Sequence, residues 1–392
     1  MNPIPRLKPY QGPVLLSYGF RPFFFLGACQ SAIAIAVWLP LYQGELTVPT
    51  LFAPRDWHAH EMIYGYVPAV ITGFLLTAIP NWTGRLPLQG TPLLVLVLVW
   101  LAGRGAVTWG AYLGWITTAL IDCAFLVLVA SAAAREIIAG RNWRNLRVLI
   151  PVTVLALGNV WFHLEAHFHG VAEYALRTGV SAILVLIMLI GGRIIPSFTR
   201  NWLARENPGR LPLPFGKLDL IAIALGAGAL GLWIVWPAGV AAGLVLCLAA
   251  LLHTARLASW AGERTSRERL VLILHVAYAF VPLGFLLAAL AAFDLIPGSA
   301  GLHAWMAGAA GTMTLAVMTR ASLGHTGQQL AAGAGTEAIY AAVVFAALVR
   351  VAAALYPSAA LPLLHAAALG WVIAFGGFAL LYGPLLFRQR RS

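Results

Sequence analysis

Residues Trp57-His58-Ala59-His60-Glu61-Met62 put two imidazoles and a carboxylate at the head of an apolar run that ends "TAIPNWTG". Histidine is costly in lipid, so intramembrane histidines mark functional positions, and neutral imidazole is the commonest transition-metal ligand. Other histidines stand at comparable places. His163 and His167 close one apolar run, His303 opens another, and His275 and His325 belong to two more. His163 and His167, four apart, share a helix face, with Glu165 on the other side. His58 and His60, two apart, point about 200° from each other on a helix. One of them therefore faces an interior site, and the other orients a neighbour or serves a second metal. Glu61 or Glu165 is the carboxylate able to hold a ligand imidazole.

The three cysteines, Cys29, Cys123 and Cys247, are scattered through apolar segments, which excludes thiolate chemistry, and no CxxCH motif is present to attach a haem covalently. Histidine-only ligation in a helical bundle points to haem b, copper or both. The candidate metal ligands are His58, His60, His163, His167, His275, His303 and His325, whereas His169, His253 and His365 read as interfacial. Arg193 and Arg320 either snorkel to lipid headgroups or grip haem propionates. Asp122 belongs either to a proton path or to a hydrogen bond within the bundle.

Composition settles what must position these groups. Hydrophobic residues make up 61% of the 392 positions and charged residues only 10%, where soluble domains hold about a quarter charged. The chain reads as a single polytopic, all-helical membrane domain over residues 1–392. Twelve apolar segments are expected, near 19–42, 57–80, 92–111, 112–134, 146–168, 172–195, 218–236, 238–256, 270–292, 302–320, 335–356 and 362–386. With the N-terminus inside, every Lys and Arg except Arg55, Arg104, Arg177 and Arg350 falls on the inner side, so both termini are expected in the cytoplasm. The net charge of +12 is then loop charge, not a nucleic-acid surface. The first apolar run has no small-residue cleavage site and reads as a span. This orientation puts His58, His60, His163, His167 and His303 in the outer leaflet, and His253, His275 and His325 in the inner half.

Several segments echo one another. Ile79-Pro80-Asn81-Trp82-Thr83 and Ile195-Pro196-Ser197-Phe198-Thr199 close two spans alike, and Thr83-Gly84 recurs as Thr326-Gly327. His60 and His303 stand at that last pair's offset of 243. Three parallel four-helix repeats, 17–140, 141–262 and 263–388, are one reading; chance likeness among apolar helices is the other.

The blocks "FRPFFFLGA", "WHAHEM", "GFLLTAIPNWTG", "GNVWFHLE", "LHVAYAFVPLG" and "LHAWMAGAAGTMTLAVMTRASLGHTG", taken in chain order, resemble the NnrS family from about residue 17 to the C-terminus. The resemblance implies a twelve-span protein of the bacterial inner membrane, carrying haem and copper. It implies a link to nitric oxide metabolism, denitrification and protection against nitrosative stress. His58, His60, His163, His275, His303, His325, Arg193 and Arg320 occupy family blocks. Gln328 stands where the family usually has a basic residue, so a cationic role there is not carried over. Three functions remain open: a metal-dependent nitric oxide handler, as an oxidoreductase fed by an unknown electron donor; an exporter of a metal complex or small solute; and a haem-based sensor or carrier without turnover.

Overall fold

The structure, a computed structural model, describes residues 10–390. Arg6, Lys8 and Arg391, which contribute to the charge asymmetry at the termini, lie outside the described residues. Among the described residues there are helices and no strands. In lipid every backbone polar group must be satisfied within the chain, and a helix does this segment by segment.

Among the described residues, eleven helices are long and apolar enough to cross a membrane. They are α1 (Phe20–Gln43), α2 (Pro54–Thr83), α3 (Thr91–Thr108), α4 (Trp115–Ala139), α5 (Leu149–His169), α6 (Glu173–Glu206), α7 (Lys217–Val235), α8 (Val240–Ala258), α9 (Arg269–Ala292), α11 (Ala334–Leu355) and α12 (Ala360–Phe387). The segment expected as a span near 302–320 folds as a further helix, α10 (298–325). Its Gly, Thr, Ser and His residues keep it less apolar than the other eleven.

Helix ends follow local chemistry. Gly44, Gly84 and Gly170 adopt left-handed caps after α1, α2 and α5, the conformation a residue with a Cβ resists. At the other kind of end, Glu165 accepts from the backbone N–H groups of Glu173, Tyr174 and Ala175 at 3.1, 2.9 and 2.8 Å. These are unsatisfied donors of the first turn of α6, and a carboxylate suits both their hydrogens and the helix dipole.

Among the described residues, three helices carry π turns: α2 at Glu61–Tyr66, α6 at Ile187–Gly191 and α10 at Ala304–Gly311. The first and third begin immediately after His60 and His303, at the same 243-residue offset as those histidines. Such turns cluster at functional positions in helices.

The chain forms two compact units. Unit 1 comprises residues 1–179, 321–328 and 378–392, and holds α1 to α5. In it α1 packs on α2, α3 on α4 and α4 on α5. Leu98, Leu120 and Leu157 stay exposed on its helices, the pattern of a lipid-facing surface. Unit 2 comprises residues 180–320 and 329–377. Here α8 and α9 pack most extensively, with α7 against α8 and α10 against both α9 and α11. Small residues set this closeness: a Cβ on Gly301 would stand 2.7 Å from the backbone nitrogen of Ala288 and 3.0 Å from its Cα. Without a hydrophobic drive between helices in lipid, such close backbone contact is a main source of association.

Backbone atoms cannot swing aside as a side-chain tip can. Gly301→Ala is therefore expected to lower the melting temperature of the detergent-solubilised protein, at a cost of about 1–3 kcal/mol. Gly298→Ala, which meets nothing within 4 Å, is the matched control. Equal melting of the two variants would show that α9 and α10 are not held at this distance.

Candidate functional site

Five helices of unit 1 converge on one buried polar cluster. His60 and Glu61 come from α2, Arg104 from α3, Asp122 from α4, Asn159 and His163 from α5, and Gln30 from α1. All but Gln30 are buried, His60 and Glu61 completely. Asn159 and His163 are four apart and so reach the cluster from one face of α5.

Asp122 is its hub. Its Oδ2 lies 3.0 Å from His163 Nε2 and 3.2 Å from His60 Nε2, and accepts from Asn159 Nδ2 at 2.8 Å. Its Oδ1 accepts from Arg104 Nη2. Arg104 Nη1 donates to Glu61 Oε1, and Gln30 Nε2 donates to Glu61 Oε2. Asn159 also sets its Oδ1 2.9 Å from His60 Nε2. Nδ1 of His60 makes no hydrogen bond, with Glu61 Oε1 at 3.6 Å.

Two glycines make room. A Cβ on Gly65 would collide with the Arg104 guanidinium, and one on Gly103 would press Asp122 Oδ1 at 3.1 Å and its Cα at 3.3 Å. Aromatic rings shut out water. Phe52 lies 5.1 Å from the His60 ring and 5.3 Å from that of His163, and Phe162 lies edge-on to His60 at 5.1 Å. Tyr64, 5.5 Å from His60, is anchored by its hydroxyl to the carbonyl of Ala175 at 2.6 Å.

His60, Asp122 and His163 each offer one ligand atom, all within 4.8 Å of one another, and could hold a metal ion. The set is two imidazoles and a carboxylate, which suits zinc, copper, iron or nickel. Charge narrows the choice. With both carboxyls ionised, Glu61 and Asp122 face only Arg104, leaving one negative charge in a low-dielectric interior. One added positive charge balances it, either a monovalent ion or a proton.

The other expected ligands are placed differently. His58 stacks on Trp38 at 4.3 Å, away from the cluster, as its two-residue offset from His60 requires. His167 is exposed and stacks on Trp115 at 4.3 Å. His325 is exposed in unit 1, its ring 5.4 Å from that of Phe20. In unit 2, His275 is buried with Nε2 2.8 Å from the hydroxyl of Thr199, the Thr of the Ile-Pro-Ser-Phe-Thr block. His303 turns Nδ1 onto Ser299 O at 2.7 Å, one turn back in its own helix. Arg320 lies over the Phe198 ring at 4.1 Å, and Arg193 is exposed.

Arg104, Asn159 and Gln30 escaped the reading of the sequence. Arg104 did leave a signal, as one of four basic residues outside the inner loops, lodged in an apolar run. Asn159 and Gln30 are neutral amides that left none. His253 did not behave as read: it is fully buried, not interfacial.

Removing one partner from a buried ion pair strands the other, at about 3–5 kcal/mol. Arg104→Leu is thus expected to cut membrane yield and melting temperature sharply. Adding Glu61→Gln and Asp122→Asn to it should recover much of the loss. A single variant as stable as the parent would show that Arg104 does not hold these helices together.

Comparison with known proteins agrees with the quoted sequence blocks. No curated protein matches the chain. A family profile described as NnrS protein matches residues 14–390, nearly its whole length, and the chain belongs to the NnrS family.

Proposed function

We propose that the protein handles nitric oxide or nitrosyl-metal species in the bacterial inner membrane, using a copper ion held by His60, Asp122 and His163. The observation that carries this reading is the buried two-imidazole, one-carboxylate group on three helices. Family membership supplies the nitric oxide theme. Copper(I) is the metal of that donor set whose single charge balances the cluster.

Each residue then has a part to play. Nε2 of His60, Nε2 of His163 and Oδ2 of Asp122 are the donor atoms. Asn159 and Arg104 hold the two Asp122 oxygens in place, the outer support that fixes a ligand's orientation. Phe52 and Phe162 keep water away. A copper ion there would supply an open coordination position for nitric oxide.

Haem does not fit between these two histidines. Their rings meet edge-on with centroids 5.2 Å apart, and both Nε2 atoms address one carboxylate oxygen, so they cannot face opposite sides of one porphyrin. Haem b, expected from histidine-only ligation as well as from the resemblance, would have to be held by another histidine and without covalent attachment.

A second reading is favoured by the same charge count. A proton on one imidazole balances the cluster as well as copper does, and would suit a proton-coupled transporter of a small solute. Metal content separates the two readings. The purified full-length protein is expected to hold copper stoichiometrically. His60→Ala and His163→Ala should lose it while keeping membrane yield, and His169→Ala and His303→Ala should keep it. Copper at parental levels in both of the first two variants would remove the site. A copper-free parent, after growth in copper-replete medium, would favour proton coupling. Acid–acetone should extract any haem completely.

The charge asymmetry supports twelve spans with both termini in the cytoplasm. A reporter fused in the turn at Asp294 should read as periplasmic, and one fused after Arg390 as cytoplasmic. A cytoplasmic Asp294 would invert or break this topology.

A further inference from the structure

A second buried polar chain lies within unit 2. Asp219 on α7 accepts from Arg256 Nε on α8 at 2.8 Å. Arg256 Nη1 donates to the carbonyl of Met188 at 3.0 Å and to the phenol oxygen of Tyr278, on α9, at 2.7 Å. That oxygen lies 2.9 Å from His253 Nδ1 on α8. Tyr278, His253 and Arg256 have no exposed surface.

Donor inventory fixes the direction of these bonds. A guanidinium only donates, so the phenol oxygen accepts from Arg256. The phenol hydrogen still needs an acceptor, because leaving it unpaired in this interior is expensive. Nδ1 of His253 is the acceptor within reach: the opposite tautomer would strand the phenol hydrogen in addition to His253 Nε2, which has no hydrogen-bond partner in either case. The pair is therefore a phenol donating to a neutral imidazole, sealed from water.

Aromatic rings continue from the pair in both directions. Trp260, just past α8, meets the Tyr278 ring edge-on at 4.6 Å. On the other side His253 stacks on Phe285 at 5.5 Å, nearly parallel. Phe285 meets Trp305 at 5.2 Å, and Trp305 meets Trp233 at 5.1 Å. Trp233 is in the last turns of α7 and Trp260 follows the end of α8. The rings thus run from near the turn that joins the antiparallel α7–α8 pair toward its opposite end.

Packing alone accounts for rings, since aromatic residues fill helical cores. It does not call for a phenol with a base on its proton. Losing one electron turns a phenol into a strong acid, so the electron leaves readily only where a base takes the proton in the same step.

We propose that Tyr278 and His253 form a proton-coupled one-electron donor inside the membrane-spanning bundle. The electron leaves the Tyr278 ring, the Oη–H bond breaks, and an Nδ1–H bond forms on His253. A neutral phenoxyl radical and an imidazolium remain, and return of one electron sends the proton back. The oxidant is a strong one-electron acceptor of the nitrogen dioxide class, which becomes nitrite. That choice of oxidant rests on the nitric oxide reading above, whereas the pair rests on geometry alone. The flanking tryptophans give the electron a path out of a site that no solute touches.

The test uses the purified full-length protein in detergent micelles, with photogenerated ruthenium(III) tris-bipyridine as oxidant and electron paramagnetic resonance of freeze-quenched samples. The parent should show a neutral tyrosyl radical. Tyr278→Phe, which keeps the ring, should lose most of it, and Tyr112→Phe, at a residue 80% exposed, should not. His253→Gln should shorten the lifetime of the Tyr278 radical. Melting temperature and elution volume verify folding of each variant. An unchanged signal in Tyr278→Phe, or an unchanged lifetime in His253→Gln, overturns the pair. A radical formed with ruthenium but not with dissolved nitrogen dioxide overturns the oxidant and leaves the pair standing.

Discussion

A charge buried in a low-dielectric interior must find its opposite, and in unit 1 Arg104 is the point where that requirement is met. Its two Nη groups divide between Glu61 on α2 and Asp122 on α4, so one planar fork ties three helices together. An ammonium could not span the two carboxylates in the same way, because its hydrogens radiate from one atom. The rest of the cluster follows. Asp122, fixed on one oxygen, offers the other to His60, His163 and Asn159, and the absence of side chains at Gly65 and Gly103 allows the helices to approach.

Unit 2 uses a related device with a different outcome. There Asp219 on α7 is matched by Arg256 on α8, a helix pair joined by a short turn, as Arg104 and Asp122 are on α3 and α4. In both units the guanidinium also reaches a π turn, through the Glu61 carboxylate in one and the Met188 carbonyl in the other. A π turn offers displaced backbone groups and altered side-chain directions, which an unbroken α-helix does not. Among the described residues, a second carboxylate enters the cluster of unit 1 alone, and there two imidazoles are brought to one oxygen.

Much of this is legible in the sequence. Composition alone dictates apolar helices, and the twofold offset between His58 and His60 already says that they face different neighbours. His163 reads as a ligand, a histidine closing an apolar run and sharing a helix face with His167, although the residue of that face that reaches the site beside it is Asn159 and not His167. Asp122 stands out in the sequence, which leaves its role open between a proton path and a hydrogen bond. What pattern could not supply was which helices are neighbours, and so the joining of α2, α4 and α5 around Asp122. Boundaries also shifted where charge was read as loop. α6 continues through Arg200-Asn201-Trp202 to Glu206, because arginine, glutamate and leucine are good helix formers once the helix has left the apolar layer. Glu165, read as support for an imidazole, is spent instead on the start of α6.

The order of the charges along the chain has a consequence for how the protein is made. Glu61 is synthesised first, Arg104 next and Asp122 last, so the signs emerge as minus, plus and minus. α2 carries its carboxylate into the bilayer unaccompanied, and the arrival of α3 cancels it. α4 follows after only a short turn and brings a second carboxylate to the same guanidinium, so the one unbalanced negative charge of the cluster arrives last. Asp219 and Arg256 repeat the alternation on α7 and α8. A strongly polar set of side chains, none of which would partition into lipid alone, is thereby delivered as a succession of nearly neutral helical hairpins during insertion.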